Sequence, residues 1–521
     1  MGKFKPSKYQ QAIFTYIAKG KGNAVVDAVA GSGKTTTMVQ VLNVIPYNKK
    51  VFFGAFNKSI AKELERKAVY DDRDENVRTG KAGKRMENVM VSTIHSLACK
   101  TILRALGAHI DSDKYTVYLN ERIEDKRIAP TVELAPDMQR EWKQNIRKLI
   151  GLVRTNLARD YKSIKDLCEK HEIFCVDNEI AIVLQALDWG KRNIKTIDFD
   201  DMIWLPNVLS GLHRYFAAWK FDYMICDECQ DLNAAQRGTF MQCLAPGGRF
   251  IAVGDERQAI YGFAGADADS FQKLLHMPHT AKLPLSINYR CDKSILRLAQ
   301  KIVPQIQWRP DAEEGTIDNN AKLSDVRDGD MILCRVSAPL VSACMTFLAK
   351  GRKAYIKGAD IGKNLANMIR NTKAKNISTA IEKLEKDNEK LLSKIMGQKH
   401  CTVEEGKQTD TYRAHADKVD AIKFLSNGSR TCQEVIDRIN KIFKDDTQEG
   451  ITLSTIHKAK GLENDRVFII RPDKLLLPFC MRIDWMATQE YNLKYVAITR
   501  AKHYLGIVPQ ENMNLDDDKK S

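Results

Sequence analysis

NAVVDAVAGSGKTTTMVQVL, residues 23–42, passes from an apolar run through a glycine loop into a helical pattern. Ala24, Val25 and Val26 read as a short buried strand, and the apolar spacing after Thr36 suits a helix. Between them lie Ala30, Gly31, Ser32, Gly33, Lys34, Thr35 and Thr36. In a strand–loop–helix setting, backbone N–H groups and the helix N-terminus cradle phosphate. Lys34 then reaches the terminal phosphates, and the Thr35 hydroxyl binds Mg²⁺. The first glycine of G-x-x-x-x-G-K-[ST] is Ala28 here, which loosens the formal match. A glycine turn with no ligand is the bland alternative; the flanking strand and helix weigh against it.

An acidic motif has to accompany such a loop. FDYMICDECQD, residues 221–231, is an apolar strand that ends in Asp227 and Glu228. Asp227 is the expected Mg²⁺ ligand, directly or through water, and Glu228 the group that orients and deprotonates an attacking water. Cys226 and Cys229 bracket the two acids and raise zinc and redox readings. Zinc needs a second ligand pair at suitable spacing; Cys168 and Cys175 are too widely spaced for one, and the other cysteines are single. A redox pair belongs on a thioredoxin-like helix start. Both cysteines therefore read as small packing residues, and the expected metal is magnesium.

The 521 residues allow roughly three or four domains. Hydrophobic content of 44% and charged content of 28% are those of a soluble globular protein. No apolar run reaches the roughly 18 to 20 residues of a membrane span. MGKFKPSKYQQ lacks the apolar stretch of a secretory signal, and Pro6 stands where a myristoylation motif needs Ser or Thr. The expectation is a cytoplasmic protein with no membrane partner, in the host cytoplasm if phage-encoded. A net charge of +16 points to a polyanion, nucleic acid first, against the alternative of a merely well-solvated basic surface. Twelve cysteines without regular spacing suggest reduced thiols.

Later segments choose among phosphate-loop machines. FIAVGDERQAIYGFAGAD (250–267), LPLSINYRC (283–291), ITLSTIHKAKGLENDRVFII (451–470) and QEYNLKYVAITRAKHYL (489–505) follow in order. Earlier come KYQQAIF (8–14), FFGAFNKSIAKEL (52–64), VSTIHSLA (91–98) and IDFDDMIWL (197–205). Together and in this order they resemble the UvrD/Rep/PcrA-like superfamily 1 DNA helicases. In style they are closest to the F-box DNA helicase branch and its phage relatives.

The resemblance implies two RecA-like α/β cores, each a parallel sheet flanked by helices and each with a helical insertion. It implies ATP and Mg²⁺ as cofactors, with Gln10 (or Gln11) reading the adenine edge, Tyr289 stacking on adenine and Glu463 contacting the ribose. Gln258 resembles a γ-phosphate sensor, and Arg290 and Arg500 resemble arginine fingers that stabilise phosphoryl charge. Phe56, Asn57, Lys58, Thr93, His95 and His457 match positions near the DNA. Tyr261 and Phe263 alternate, so an extended segment points both one way; the resemblance gives them base stacking, against a reading as core aromatics. Two residues depart from the pattern: Ala264 and Thr36 stand where many relatives have arginine.

Residues 1–100 and 199–271 are expected to form the first core, with a helical insertion at 101–198. The second core is expected at 272–345 and 428–511, interrupted by a helical hairpin at 346–427, with a charged tail at 512–521. In the hairpin, Ile377, Ile381, Leu384, Asn388, Leu391 and Ile395 step by four and three, an a/d seam with one polar member. Val419, Ile422 and Leu425 suit a returning helix. The hairpin could clamp duplex DNA, contact a partner or brace the fold.

These expectations converge on an ATP-dependent translocase on single-stranded DNA that unwinds duplex, by resemblance 3′→5′. Its partners would be single-stranded DNA, single/double-strand junctions and replication or recombination proteins. The rivals are a translocase that strips proteins without unwinding, and a nucleotide-switched DNA-binding module.

Overall fold

The computed structural model describes residues 5–55, 87–124, 136–171, 173, 175, 177–260, 269–399, 401–445, 449–476, 481 and 484–514. The chain forms two compact units, Met1–Ser286 and Ile287–Ser521.

The described strands of the first unit are β1 (Asn23–Ala28), β2 (Val51–Ala55), β3 (Val89–Thr93), β4 (His109–Ile110), β5 (Thr196–Ile197), β6 (Phe221–Cys226), β7 (Leu244–Gly254) and β8 (Thr280–Leu285). Six of them make one parallel sheet in the order β3-β2-β6-β7-β1-β8. β1 lies inside this sheet with Ala24, Val25 and Val26 wholly buried, as a parallel strand covered on both faces must be. All six strands run the same way, so the loops leaving their C-terminal ends gather along one edge, where open α/β sheets bind ligands.

β4 and β5 pair and close the base of the helical insertion. Its helices Lys114–Glu124, Pro136–Asn156, Tyr161–Lys170 and Asp177–Arg192 share a core that includes Tyr115, Leu149 and Val183. That core runs on through Trp204, Leu205 and Leu212, past the expected limit at 198. A buried ionic network ties the insertion to the following segment. Arg154 bonds both oxygens of Asp198 at 2.6 and 2.8 Å and Asp201 at 2.8 Å, while Lys114 reaches Asp201 at 2.6 Å.

The first unit ends later than 271. β8 pairs with β1 along its whole length and completes the first sheet, so the break falls after Ser286. Pro284 and Lys282 are tolerated in β8 because it is an edge strand.

The second unit contains β9 (Ile287–Asn288), β10 (Gln307–Trp308), β11 (Thr316–Asp318), β12 (Met331–Cys334), β13 (Ala354–Lys357), β14 (Phe443–Lys444), β15 (Ile451–Thr455), β16 (Asn464–Ile470) and β17 (Ala501–Val508). Seven of these form a second parallel sheet, ordered β11-β17-β16-β12-β15-β13-β14. β13 lies within it, and the helix Ala359–Asn371 contributes Leu365, Ala366 and Ile369 to its core. The insertion therefore begins near 375 rather than at 346.

The hairpin itself consists of Ile377–Lys399, the short Val403–Gln408 and the returning Asp410–Ser426. Its neck is tied: Ile377 N–H donates to Arg430 O at 3.2 Å, and Cys432 N–H to Lys375 O at 3.2 Å. Ile377, Leu384, Val419, Ile422 and Leu425 are buried in the second unit's core. Asn388, the polar seam member, meets His415 Nδ1 at 2.5 Å. Asp417 of the returning helix accepts Ser337 N–H at 2.7 Å and Ala338 N–H at 2.8 Å, capping the helix Ala338–Ala349. At the other end Asn512 donates to Asn320 O and Ala321 O, so the packed chain continues beyond the expected start of the tail at 512.

Candidate functional site

The loop after β1 is shaped by Gly31 and Gly33, whose φ values of 64° and 75° lie in the left-handed region. Gly33 caps the helix Lys34–Val41 with no side-chain bond, leaving its first-turn N–H groups to face the loop. Ser32 Oγ is buried and has no hydrogen-bond partner among the described residues. An uncapped helix start beside an unsatisfied buried hydroxyl suits an anion.

At the end of β6 the acids meet this loop. Thr35 Oγ1 donates to Asp227 Oδ2 at 2.6 Å, and Lys34 Nζ pairs with Glu228 Oε1 at 3.2 Å. Asp227 N-terminally flanks Glu228, whose N–H donates to Asp227 Oδ1 at 2.9 Å. At the end of β7, Gln258 Nε2 donates to Asp255 Oδ2 at 2.7 Å. Burial, then the neighbouring Glu228, pushes the Asp227 carboxyl up to about 6; burial pushes Asp255 up to about 6 against the pull of Lys34. For Lys34 burial pulls down, but Glu228, Asp255 and Asp227 outweigh it and hold the ammonium above its usual range. The result is one largely covered cation among two buried carboxyls, Asp227 and Asp255, and the half-buried Glu228.

Cys226 and Cys229 lie in the core cluster with Phe52 and Phe240, and burial pushes both thiols up. Gln10 is buried, its Oε1 accepting Ser7 N–H at 2.9 Å and its Nε2 donating to Thr37 Oγ1 at 3.0 Å. Gln10 thus faces the phosphate-loop helix, whereas Gln11 is exposed. Thr36 is exposed on that helix.

The second unit gathers its own group. Asn288 Oδ1 accepts the N–H of Arg290 at 2.8 Å and turns the chain after β9. Arg290 bonds Glu463 Oε2 at 2.5 Å and Thr499 O at 3.0 Å. Arg500 is 1% exposed, with Nε on Val496 O at 2.9 Å and a terminal nitrogen on Leu462 O at 3.0 Å. Burial raises Glu463, but Arg290 and Lys502 prevail and hold it below the usual carboxylate range. Tyr289, next to Arg290, is exposed.

Of the residues expected near DNA, Phe56, Asn57, Lys58, Tyr261 and Phe263 lie outside the described residues. Thr93 ends β3 and caps the helix Ile94–Leu106 by accepting Ser96 N–H at 3.1 Å. His95, on that helix, stacks on Phe199 with ring centroids 4.3 Å apart and planes 13° apart. Burial pushes His95 down to about 4, and burial followed by Arg335 pushes His457 down to about 3.

Sequence reading passed over two residues. Phe199 is 60% exposed, and its signal was a lone aromatic among acids in IDFDDMIWL. Gln230 is buried against Glu228, and nothing in its type or spacing announced it.

Among the described residues, no helix is long and apolar enough to cross a membrane. The UvrD/REP helicase N-terminal domain matches residues 8–279, and the UvrD-like helicase C-terminal domain residues 355–512. The ATP-dependent DNA helicase PcrA of Staphylococcus aureus is 25% identical over 644 aligned residues, covering 95% of this chain and 83% of that protein. A probable DNA helicase II homolog of Mycoplasma pneumoniae is 27% identical, over 59% of this chain and 44% of its own length. PcrA of Leuconostoc citreum is 28% identical over 54% of this chain and 37% of its own. With motifs, parallel sheets and a domain match over more than half its length in agreement, the chain belongs to the UvrD/REP helicase family.

Proposed function

We propose that this chain is an ATP-dependent DNA helicase that moves along single-stranded DNA, 3′→5′, and opens duplex at single/double-strand junctions. The process served is replication, repair or recombination, with proteins of those pathways as partners. One observation carries the reading. Lys34 pairs with Glu228 and Thr35 with Asp227 where the phosphate loop meets the strand end, an arrangement that hydrolysis of a nucleoside triphosphate needs.

The residues fit a magnesium ion. Thr35 Oγ1 and Asp227 Oδ2 are hard oxygen donors 2.6 Å apart beside an unsatisfied Ser32 hydroxyl. When bound, the ion neutralises charge on the phosphate oxygens. Lys34 and the uncapped helix start bind the phosphates, and Lys34 offsets charge as the terminal phosphoryl group leaves. Glu228 orients the attacking water and accepts its proton. Gln258 is assigned to the γ-phosphate, Arg290 and Arg500 to the developing phosphoryl charge, and Gln10, Tyr289 and Glu463 to the nucleoside. Thr93, His95 and His457, with the five residues outside the described ones, are assigned to DNA, and Phe199 joins them as an exposed stacking face.

The test measures ATP hydrolysis with and without single-stranded DNA, and strand separation on duplexes carrying either a 3′ or a 5′ tail. The expected result is DNA-stimulated hydrolysis and opening of the 3′-tailed duplex, with Glu228→Gln slower by about 100-fold or more. Stimulated hydrolysis with neither duplex opened would replace helicase by a protein-stripping translocase. Hydrolysis absent with and without DNA overturns the reading.

A further inference from the structure

Gln230 follows Glu228 by two residues in the short helical turn Cys229–Asp231 and is 1% exposed. Its amide is used at both ends. Nε2 donates to Glu228 Oε2 at 2.6 Å, and Oε1 accepts the Asp255 N–H at 3.1 Å. This orientation is fixed by chemistry: turned over, the amide would set oxygen against a carboxylate and N–H₂ against N–H. Asp255 in turn accepts Gln258 Nε2 at 2.7 Å and the Arg257 N–H at 3.0 Å. A single side chain thus ties the carboxylate at the end of β6 to the turn that follows β7.

Glu228 is consequently held from two sides, by Lys34 on Oε1 at 3.2 Å and by Gln230 on Oε2. A carboxylate with one free rotation about its terminal bond needs two such contacts to present one oxygen lone pair in one direction. The backbone makes room for the second contact. A Cβ built on Gly254 would lie 2.4 Å from Gln230 Oε1 and 2.8 Å from Cys229 Sγ. Only a residue without a side chain lets the amide reach Asp255.

We infer that Gln230 is a positioning residue: it aims Glu228 at the attacking water and couples that aim to the Asp255–Gln258 turn. The inference rests on Glu228 being the base, as proposed above. Gln230 touches neither substrate nor metal in this scheme and acts only through Glu228.

The experiment compares kcat and KM for ATP, with single-stranded DNA saturating, in the full chain and in Glu228→Gln, Gln230→Ala, Gln230→Met and Glu228→Gln/Gln230→Met. Gln230→Met keeps the buried volume and removes both hydrogen bonds, so it stays informative where Gln230→Ala fails to fold. Each Gln230 variant is expected to lower kcat by about 10- to 100-fold while KM for ATP stays within about threefold. The double variant is expected to be no slower than Glu228→Gln alone, because a residue acting through Glu228 has nothing left to aim. Near-parental kcat in the Gln230 variants, or a further loss of the same size in the double variant, overturns the inference and leaves the base assignment standing. Undiminished hydrolysis in Glu228→Gln overturns the base assignment itself, and this inference with it.

Discussion

Glu228 holds a left-handed backbone, φ 53°, a conformation that a residue with a side chain adopts at a cost of about 1–2 kcal/mol. The strained turn throws its carboxylate back toward Lys34 while Asp227 faces Thr35. Two adjacent acids thus point to two different partners. Three carboxyls share one lysine there, so removing a charge relieves repulsion as well as losing a bond. Glu228→Gln is expected to unfold at no lower a temperature than the parent while losing hydrolysis, a pairing that thermal melting and ATPase assays check together. Phe199 makes the opposite case, an exposed ring whose removal leaves the core untouched. Phe199→Ala is expected to weaken single-stranded DNA binding by about 5- to 100-fold, with the melting temperature unchanged, as titration of a labelled oligonucleotide would show. Lys34, Thr35, Asp227 and Glu228 were legible because their chemistry dictates residue type and spacing. Gln230 was not, because what it does depends on a neighbour 25 residues away that only the folded sheet brings near.

Elements were read well where their pattern was periodic and poorly where they were short. The seam from Ile377 to Ile395 gave the hairpin its first helix, and Val419, Ile422 and Leu425 its second. β13 has four residues, too few for a period to register, and it was absorbed into the insertion although it lies within the sheet. The cap on Ala338–Ala349 was invisible for another reason. Its donor groups belong to Ser337 and Ala338, but the carboxylate comes from Asp417, 80 and 79 positions on. Asp417→Ala is expected to lower the stability of the second unit by about 1 kcal/mol, and urea unfolding measures it. A carboxamide in its place keeps one acceptor for two N–H groups, so Asp417→Asn falls between. With Leu384, Val419 and Ile422 in the core, the hairpin braces the second unit.

For the whole molecule, charge and protonation pull in separate directions. Between pH 8 and 5.5, His95 and His457 stay neutral, since burial holds them at about 4 and about 3. Their imidazole resonances are expected to stay fixed over that interval, and a midpoint near 6.5 in either would refute their burial. The sign of the linkage follows. Unfolding returns each ring to its usual 6.5, so the unfolded chain binds protons first, and the histidines' contribution to stability fades as pH falls from 6.5 toward the folded values. Asp227 and Asp255, raised to about 6, act in the other sense between 3.8 and 6, where the folded chain holds the extra protons. Acid sensitivity is thereby blunted. Net charge of +16 was open to inspection in composition alone, as was the parallel α/β class once strand, loop and helix were read in order.

The tied neck of the hairpin carries one more consequence. The chain leaves the strand-and-helix framework of the second sheet at Lys375–Ile377 and returns at Arg430–Cys432, held together by two backbone bonds that make an antiparallel bridge between Asn376 and Thr431. Departure and return share one point, so everything beyond it is a closed excursion whose length is independent of the order of the strands. Length can change at the hairpin's far end without rethreading the sheet, while Ile377, Leu384, Val419, Ile422 and Leu425 nearer the neck stay packed in the core and Asp417 keeps its cap.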